Sequence, residues 1–329
     1  MAEQDDPTAS PLWIDAPDAL DQLPRRVADP GTRQAVDHFI RQGYSIFRGA
    51  VPPGLIDRVL ADKQSLYAQP ERFVVRDRGA YVDTTRITGL GVGHRIIDLY
   101  GVSAAARDAV FSPPVAAFMH AIFGEPAIGI QSLNFEYGSQ QAMHQDTAYV
   151  VSSRPMALAA AWLALEDVTV GTGELMFYPG GHRMRHFLFN GGRSKSWAQG
   201  RDGVEVHQQY LKQLHAQAKA MGLKEDRFLA RKGDVLVWHA DLPHGGSRIT
   251  QAGTRLSLVT HFAPLSVKAN YRQVIGAAYH ELAHASGHYF SSRHFHLGQL
   301  DDRGAGALLF DGGASLKRAA AALGQAVAG

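Results

Sequence analysis

The chain contains no cysteine in its 329 residues. It therefore has neither a disulfide framework nor a thiolate metal site, and any transition metal must be bound by His, Asp or Glu. No apolar run approaches the roughly 18 residues of a membrane-spanning helix. No basic block stands out either, since 33 Lys and Arg nearly balance 31 Asp and Glu. We expect no nucleic-acid partner and no membrane partner.

The first ten residues, MAEQDDPTAS, are acidic and polar. A secretory signal would instead be basic and then apolar, so we expect a cytoplasmic protein. With 45% hydrophobic residues, the chain is long enough to bury a sizeable core. It shows no internal repeat and no low-complexity linker.

The chain divides into an N-terminal arm and one larger domain. Residues 1–30, rich in Asp, Pro and Ala, are expected to be extended or loosely ordered, and residues 31–329 to form a single domain. Apolar periodicity predicts helices, and alternation predicts one early strand. These elements are helices Thr32–Gln42, Leu55–Tyr67 and Ser112–Phe123, strand Tyr44–Phe47, a helical insertion at about 203–222, and a C-terminal helical segment, 266–329.

The middle of the chain, about 125–265, is predicted to be a β core. Short apolar runs there are separated by Gly or Pro turns. The predicted strands are Ile128–Phe135, Ala157–Leu165, Glu174–Tyr178, Asp234–Trp238 and Leu256–Thr260. The fold class is therefore mainly β with helical additions. A double-stranded β-helix (a jelly-roll or cupin-like core) fits this pattern, with a ligand cavity formed at strand ends.

Three side chains in this core form a candidate metal site. His144 and Asp146 are two residues apart, so in a strand they point to the same side, and Gln145 points away. His244 follows a strand, in a turn that ends Gly245-Gly246. Two imidazoles and one carboxylate on one face of an ion leave the opposite face open, which is the ligand set of non-haem Fe(II) oxygenases.

Arg255 and Ser257 follow the second histidine and share a face of the next predicted strand. A guanidinium fork beside a hydroxyl is suited to binding a carboxylate in two-point contact. The pair therefore predicts a site for the distal carboxylate of a dicarboxylate co-substrate.

The motifs in combination resemble the phytanoyl-CoA dioxygenase (PhyH-like) family of Fe(II)/2-oxoglutarate oxygenases. The resemblance implies that His144, Asp146 and His244 bind iron and that Arg255 holds the C5 carboxylate of 2-oxoglutarate. Gln131, Trp162 and Ser257 resemble positions that contact this co-substrate. The matching segments are Met143–Thr147, Trp162, Gly171–His182 and Gly233–His244 with Arg255–Ser257; they span about residues 125–265, with a weaker likeness near the N-terminus.

The resemblance implies a dioxygenase that uses Fe(II), 2-oxoglutarate and O2. We expect it to hydroxylate an unactivated C–H bond of a small or medium polar metabolite, with release of succinate and CO2. Halogenating relatives lose the carboxylate ligand, so the presence of Asp146 favours hydroxylation or another oxidation. The sequence identifies neither the substrate nor an oligomeric state.

Four further residues are candidates for contact with the substrate. Arg183 and Arg185 lie in the stretch GGHRMRH after a predicted strand, where they would meet an anionic or polar group. Tyr149 and Arg86 are expected to line the same pocket.

A second metal motif, His280-Glu281-Leu282-Ala283-His284, matches H-E-x-x-H in a segment predicted to be helical. It would make the protein a zinc hydrolase with Glu281 as general base. The longer peptidase pattern fails, because Phe290 stands where its third histidine belongs and no methionine follows Met221. This zinc hydrolase and a catalytically silent 2-oxoglutarate-binding barrel are the alternatives.

Overall fold

The computed structural model describes residues 6–77, 80–150, 152, 154–267, 282–284 and 286–289. The helices in this part of the chain are α1 (Ala19–Arg26), α2 (Pro30–Gln42), α3 (Pro53–Leu66), α4 (Leu99–Val102), α5 (Ala104–Val110), α6 (Pro113–Phe123) and α7 (Gln199–Ala220). The strands are β1 (Tyr44–Phe47), β2 (Val74–Asp77), β3 (Ala80–Val82), β4 (His94–Ile97), β5 (Ala127–Phe135), β6 (Ala159–Ala164), β7 (Leu175–Phe177), β8 (Asp226–Phe228), β9 (Val235–His239), β10 (His244–Gly246), β11 (Ser257–Pro264), β12 (Leu282–His284) and β13 (Gly287–Tyr289).

Two sheets form the core. The larger has the order β1-β9-β6-β11-β5-β4-β2-β3, and the hairpin of β12 and β13 joins it where β13 runs parallel to β5. The smaller has the order β10-β7-β8, and its strands pair antiparallel. The prediction of a mainly β core with helical additions is confirmed, with strand bounds shifted by a few residues.

Strand β6 shows why the central runs are apolar on both faces. Ala161 and Leu163 belong to the core that packs under the helices, whereas Trp162 and Ala164 belong to the core between the two sheets. Successive strand residues point to opposite faces, so both faces of β6 are buried. Across the space between the sheets, the ring of Trp162 meets that of Phe228 on β8 at 5.7 Å.

Helix α2 begins and ends where its sequence indicates. The side chain of Asp29 accepts a hydrogen bond from the Thr32 amide at 2.7 Å, and Pro30 occupies the first turn. At the other end, Gly43 adopts φ of 79°, the left-handed conformation that terminates helices. The chain can then turn directly into β1.

The N-terminal segment differs from the extended arm expected from its composition. It contains α1 and a short 3-10 helix at Trp13–Asp15, and the side chains of Trp13 and Ile14 are buried. The indole of Trp13 donates to the carbonyl of Ala121 at 2.9 Å, and the carboxylate of Asp15 lies 3.1 Å from Nε2 of buried His239. The buried side chains of Trp13 and Ile14, together with these two polar contacts, hold the segment on the core.

The Asp15–His239 pair predicts a pH-dependent stability. Burial lowers the pKa of His239, but the attraction of Asp15 outweighs it and leaves that pKa raised. A raised histidine pKa stabilises the fold below about pH 6.5, and the contribution is lost as the pH rises through the raised value. We expect Asp15→Asn to lower the free energy of unfolding by about 1 kcal/mol at pH 6 and by less at pH 9.

Urea denaturation at the two pH values measures this difference. The control is Asp21→Asn, which changes an exposed carboxylate on α1. An equal loss of stability at both pH values would show that the pair does not depend on the charge of His239.

The predicted polar helix at about 203–222 is present as α7, whose residues Tyr210, Leu214 and Ala218 are buried on one face. The helix predicted through His284 is wrong for the described residues, since Leu282–His284 forms β12. Residues 282–284 form a strand because they pair with β13. The apolar periodicity of the sequence does not indicate this pairing. His280 and Glu281 lie outside the described residues.

Candidate active site

The two histidines of the candidate triad are brought together by direct backbone pairing. The amide of His144 donates to the carbonyl of His244 at 2.8 Å, and the amide of His244 donates back at 2.9 Å. The local context differs from the one expected. His144 forms an isolated bridge, a 3-10 turn begins at Asp146, and His244 opens strand β10 instead of lying in a turn. Convergence of the side chains depends on this long-range pairing.

The three ligand atoms surround one point. Oδ1 of Asp146 lies 3.8 Å from Nε2 of His144 and 3.6 Å from Nε2 of His244, and all three residues are buried. Atoms at these separations can share one ion at bond lengths of about 2.1 Å. Among the described residues, this is the group of three His, Asp or Glu side chains that is close enough to hold a metal.

Hydrogen bonds fix both imidazoles in the tautomer that a metal needs. Nδ1 of His144 lies 2.8 Å from the carbonyl of Ala142, and Nδ1 of His244 lies 2.9 Å from the carbonyl of Leu242. Because a carbonyl only accepts, Nδ1 carries the proton and the Nε2 lone pair faces the site.

The protonation states also suit metal binding. Burial, assisted by neighbouring His244, lowers the pKa of His144 to about 3, and burial likewise lowers that of His244. Burial opposes ionisation of Asp146, but attraction to His244 and His261 outweighs it and holds the carboxyl pKa below its usual range. At neutral pH the site therefore has two neutral imidazoles and one carboxylate.

Two residues beside the triad were not identified from the sequence. Nε1 of Trp238 on β9 donates to Oδ2 of Asp146 at 2.7 Å, which leaves Oδ1 facing the histidines. Nε2 of His261 on β11 lies 3.5 Å from the same Oδ1. Strand alternation offered a signal for His261, because Arg255, Ser257, Val259 and His261 are each two residues apart.

Trp238→Phe is expected to weaken Fe(II) binding by about 10- to 100-fold, because it removes the hydrogen bond that orients a ligand carboxylate and retains an aromatic ring. Anaerobic equilibrium titration measures the affinity. The matched control is Trp13→Phe, which removes an indole donor in the N-terminal segment. Unchanged affinity in Trp238→Phe would contradict the orienting role.

Arg255 is a buried cation beside the triad. It precedes β11, is 3% exposed, and lies over the rings of Phe135 and Trp162 at 5.7 and 5.4 Å. Burial lowers its pKa to about 10, against the weaker attraction of Glu174 and Glu166. Within the described part of the chain, no carboxylate lies within ion-pair distance of its guanidinium.

Several buried polar atoms beside Arg255 or beside the triad have no hydrogen-bond partner among the described residues. They are Nε of Arg255, Oγ of Ser257, Nε1 of Trp162 and Nδ1 of His261. Buried polar groups are normally paired, so unpaired donors around a buried cation fit an anionic, oxygen-rich ligand. The donor set suits 2-oxoglutarate, and the triad suits Fe(II).

A cavity of about 890 Å³ opens above these groups. Its lining contains the triad and four other residues predicted to form the site: Gln131, Trp162, Arg255 and Tyr149. The hydroxyl of Tyr149 lies 2.6 Å from Nε2 of His207, and burial raises the pKa of this phenol to about 12. Of the residues predicted to contact the co-substrate, Ser257 is absent from this lining and is fully buried in β11.

The three arginines predicted to meet the substrate lie away from this cavity. Arg183 donates to the carbonyl of Ile40 at 2.8 Å, and the backbone amide of Arg185 donates to Gln217 on α7 at 2.7 Å. Arg86 is exposed in a 3-10 helix. Two other arginines, Arg76 and Arg95, line the cavity in the part of the chain that the structure describes.

The other histidines singled out by the sequence have structural partners. His239 is held by Asp15 and accepts from the amide of Asp241 at 3.1 Å. His284 lies 3.1 Å from Oδ1 of Asp108. Since His284 belongs to β12, the helical face that the zinc motif requires is not formed there.

Two facing sheets with a buried triad of two histidines and one carboxylate between them match the ligand arrangement of non-haem Fe(II) oxygenases. The model of the family described as phytanoyl-CoA dioxygenase (PhyH) matches residues 39–257. The chain belongs to this family of Fe(II)/2-oxoglutarate-dependent oxygenases.

Solved structures of related enzymes share the fold and confirm the prediction of a double-stranded β-helix. The carbocyclase SnoK from nogalamycin biosynthesis is 19% identical with a TM-score of 0.53, over 72% of this chain and 85% of that one. The epimerase SnoN, in complex with Fe3+, α-ketoglutarate and nogalamycin RO, is 20% identical with a TM-score of 0.53, over 73% and 87%.

A third structure is EctD from S. alaskensis with 2-oxoglutarate and 5-hydroxyectoine. It is 19% identical with a TM-score of 0.51, over 71% of this chain and 76% of that one. No curated protein matches the chain. In the part of the chain that the structure describes, no helix is both long and apolar enough to cross a lipid bilayer.

Proposed function

We propose that the protein is an Fe(II)- and 2-oxoglutarate-dependent dioxygenase that hydroxylates a C–H bond of a small or medium polar metabolite. The observation that carries this proposal is the buried triad beside a buried arginine that lacks a carboxylate partner among the described residues. A cytoplasmic location stays a prediction from the sequence.

The side chains have distinct roles in this proposal. His144, Asp146 and His244 would hold the metal on one face, with both imidazoles locked by backbone carbonyls and the carboxylate locked by Trp238. Arg255 would bind the distal carboxylate of 2-oxoglutarate. The bound metal and co-substrate would supply oxidising power for C–H cleavage, and the protein would position the substrate carbon and exclude water.

The aromatic walls support the exclusion of water. Phe135 and Trp162 are buried and lie within 6 Å of the guanidinium of Arg255. Charge-assisted hydrogen bonds are stronger in such a dry environment than in water. A carboxylate placed there would be held in one orientation.

The structural relatives include a carbocyclase and an epimerase, so the experiment must distinguish hydroxylation from cyclisation and epimerisation. The experiment is a substrate screen with anaerobically loaded Fe(II) enzyme and 2-oxoglutarate, coupled to succinate release on admission of isotopically labelled dioxygen. Hydroxylation predicts a product that contains one labelled oxygen. A converted product without the label would favour cyclisation or epimerisation, and absence of succinate under all conditions would contradict oxygenase activity.

A further inference from the structure

Arg76 and Arg95 face each other across two strands and line the candidate active-site cavity. The register of β2 and β4 places them directly opposite each other. Both residues belong to the lining of the cavity that contains the triad and Arg255. Neither strand lies in the segment that carries the iron and 2-oxoglutarate motifs.

These arginines continue a row of residues that begins at the co-substrate end of the cavity. Ser257 on β11 is opposite Phe135 on β5, and β4 is the next strand along the sheet. The guanidinium of Arg95 lies 5.9 Å from the ring of Phe135, whose ring is also 5.7 Å from the guanidinium of Arg255. One aromatic ring therefore lies against two cationic groups.

The guanidinium groups of Arg76 and Arg95 repel each other. Like charges directly opposite each other on neighbouring strands destabilise a sheet. Burial lowers the pKa of Arg95, repulsion by Arg76 lowers it further, and Asp77 opposes both more weakly. Within the described residues, no carboxylate lies within ion-pair distance of Arg95, although Asp77 is close enough to influence it.

The pair is separate from the co-substrate anchor. In the sheet order β11-β5-β4-β2, the strand of Arg95 is two positions from β11 and that of Arg76 is three. At about 4.8 Å between strands, the backbones of Arg95 and Arg76 are roughly 10 and 14 Å from β11. The two arginines therefore lie on other strands than the one that follows Arg255.

We propose that Arg76 and Arg95 bind a carboxylate or phosphate group of the substrate. Two guanidinium groups facing one cavity match the planar, multiple-acceptor geometry of these oxyanions. The inference rests on the proposed function for the identity of the cavity, and it adds the chemical class of the substrate. Anionic recognition, which the sequence suggested for Arg183 and Arg185, is thus assigned to a different pair.

The test uses full-length enzyme loaded anaerobically with Fe(II) and saturated with 2-oxoglutarate, so that Arg255 is already occupied. Calorimetric titration with inorganic phosphate, propionate and uncharged propionamide then probes the second site. We expect at least one of the two anions to bind and propionamide not to bind. Preference for phosphate or for propionate identifies the anionic group.

Arg95→Gln is expected to weaken binding of that anion by at least about 10-fold, since it removes a charge-assisted partner. Arg95→Lys retains the charge and should lose less. The matched control is Arg58→Gln on α3, an exposed arginine outside the cavity lining, which should bind like the wild type. Arg95→Gln removes one of two like charges that face each other. In the absence of anions, the melting temperature of this variant should therefore not fall below that of the wild type.

Two results would overturn the inference: wild-type enzyme that binds neither anion, or Arg95→Gln that binds the anion as tightly as the wild type. Failure of the proposed function looks different, because the wild type would then not bind 2-oxoglutarate with Fe(II). In that case the same anion titration, with and without Arg95→Gln in an Arg255→Gln background, still tests the arginine pair because Arg255 can no longer bind the anion.

Discussion

Asp146→Ala is expected to abolish 2-oxoglutarate-dependent succinate formation and to weaken Fe(II) binding by more than about 100-fold. Loss of a residue that only orients a ligand costs about 10- to 100-fold in metal affinity, so loss of the ligand itself should cost more. Asp146 is also the charged member of a buried triad whose other two members are neutral. Its removal leaves the metal without an anionic ligand from the protein.

Two variants separate this effect from general damage to the fold. Asp146→Asn retains an oxygen that accepts from Trp238 but loses the charge, so we expect intermediate metal affinity and little activity. Asp37→Ala removes an exposed carboxylate on α2 that pairs with Arg41, and it should behave like the wild type. Succinate formation by Asp146→Ala at the wild-type rate would eliminate the proposed metal site.

Arg255→Gln is expected to raise the dissociation constant of 2-oxoglutarate by about 10- to 150-fold, the equivalent of about 1.5–3 kcal/mol for a hydrogen bond to a charged group. The substitution removes the buried cation and keeps most of the side-chain length. Arg255→Lys keeps the charge but loses the planar fork, and its affinity should lie between the two. Calorimetric titration of Fe(II)-loaded, anaerobic enzyme measures all three constants.

Arg255→Gln is also expected to reduce the stabilisation of the fold by 2-oxoglutarate. At 2-oxoglutarate concentrations near 100 times the wild-type dissociation constant, binding stabilises the wild-type fold by about 2.7 kcal/mol, and Arg255→Gln should lose about half of this gain or more. Without 2-oxoglutarate, loss of a buried cation that has no carboxylate partner among the described residues should not destabilise the protein. Equal thermal stabilisation of wild type and Arg255→Gln by 2-oxoglutarate would show that another residue binds the distal carboxylate.

Much of the β core was predictable from local pattern. The run at β6 alternates between two buried faces, so its apolar residues indicate a strand without indicating which residues face the cavity. The two histidines and the aspartate were recognisable from residue type and order. Their convergence was not, because it depends on backbone pairing of His144 with His244, a contact between segments that are far apart in the chain.

The residues that the sequence did not identify were missed for one physical reason, because their positions depend on pairing between strands. Trp238 has no distinctive spacing relative to the triad, and His261 continues the alternation that begins at Arg255. Both come to lie beside the triad only because β9 and β11 belong to the same sheet. Arg76 and Arg95 lie in a Gly- and Arg-rich segment that local pattern could not assign, and only strand register places them opposite each other. The β12 strand likewise forms through pairing with β13, which is itself paired with β5.

We propose that the triad and Arg255 form one site for Fe(II) and 2-oxoglutarate. Anaerobic titration of 2-oxoglutarate into the wild type, Asp146→Ala and Arg255→Gln, each with and without Fe(II), tests it most directly. We expect tight binding only by Fe(II)-loaded wild type, because chelation needs the metal and the distal carboxylate needs the arginine. Binding that is equally tight without Fe(II), or in both variants, would contradict it.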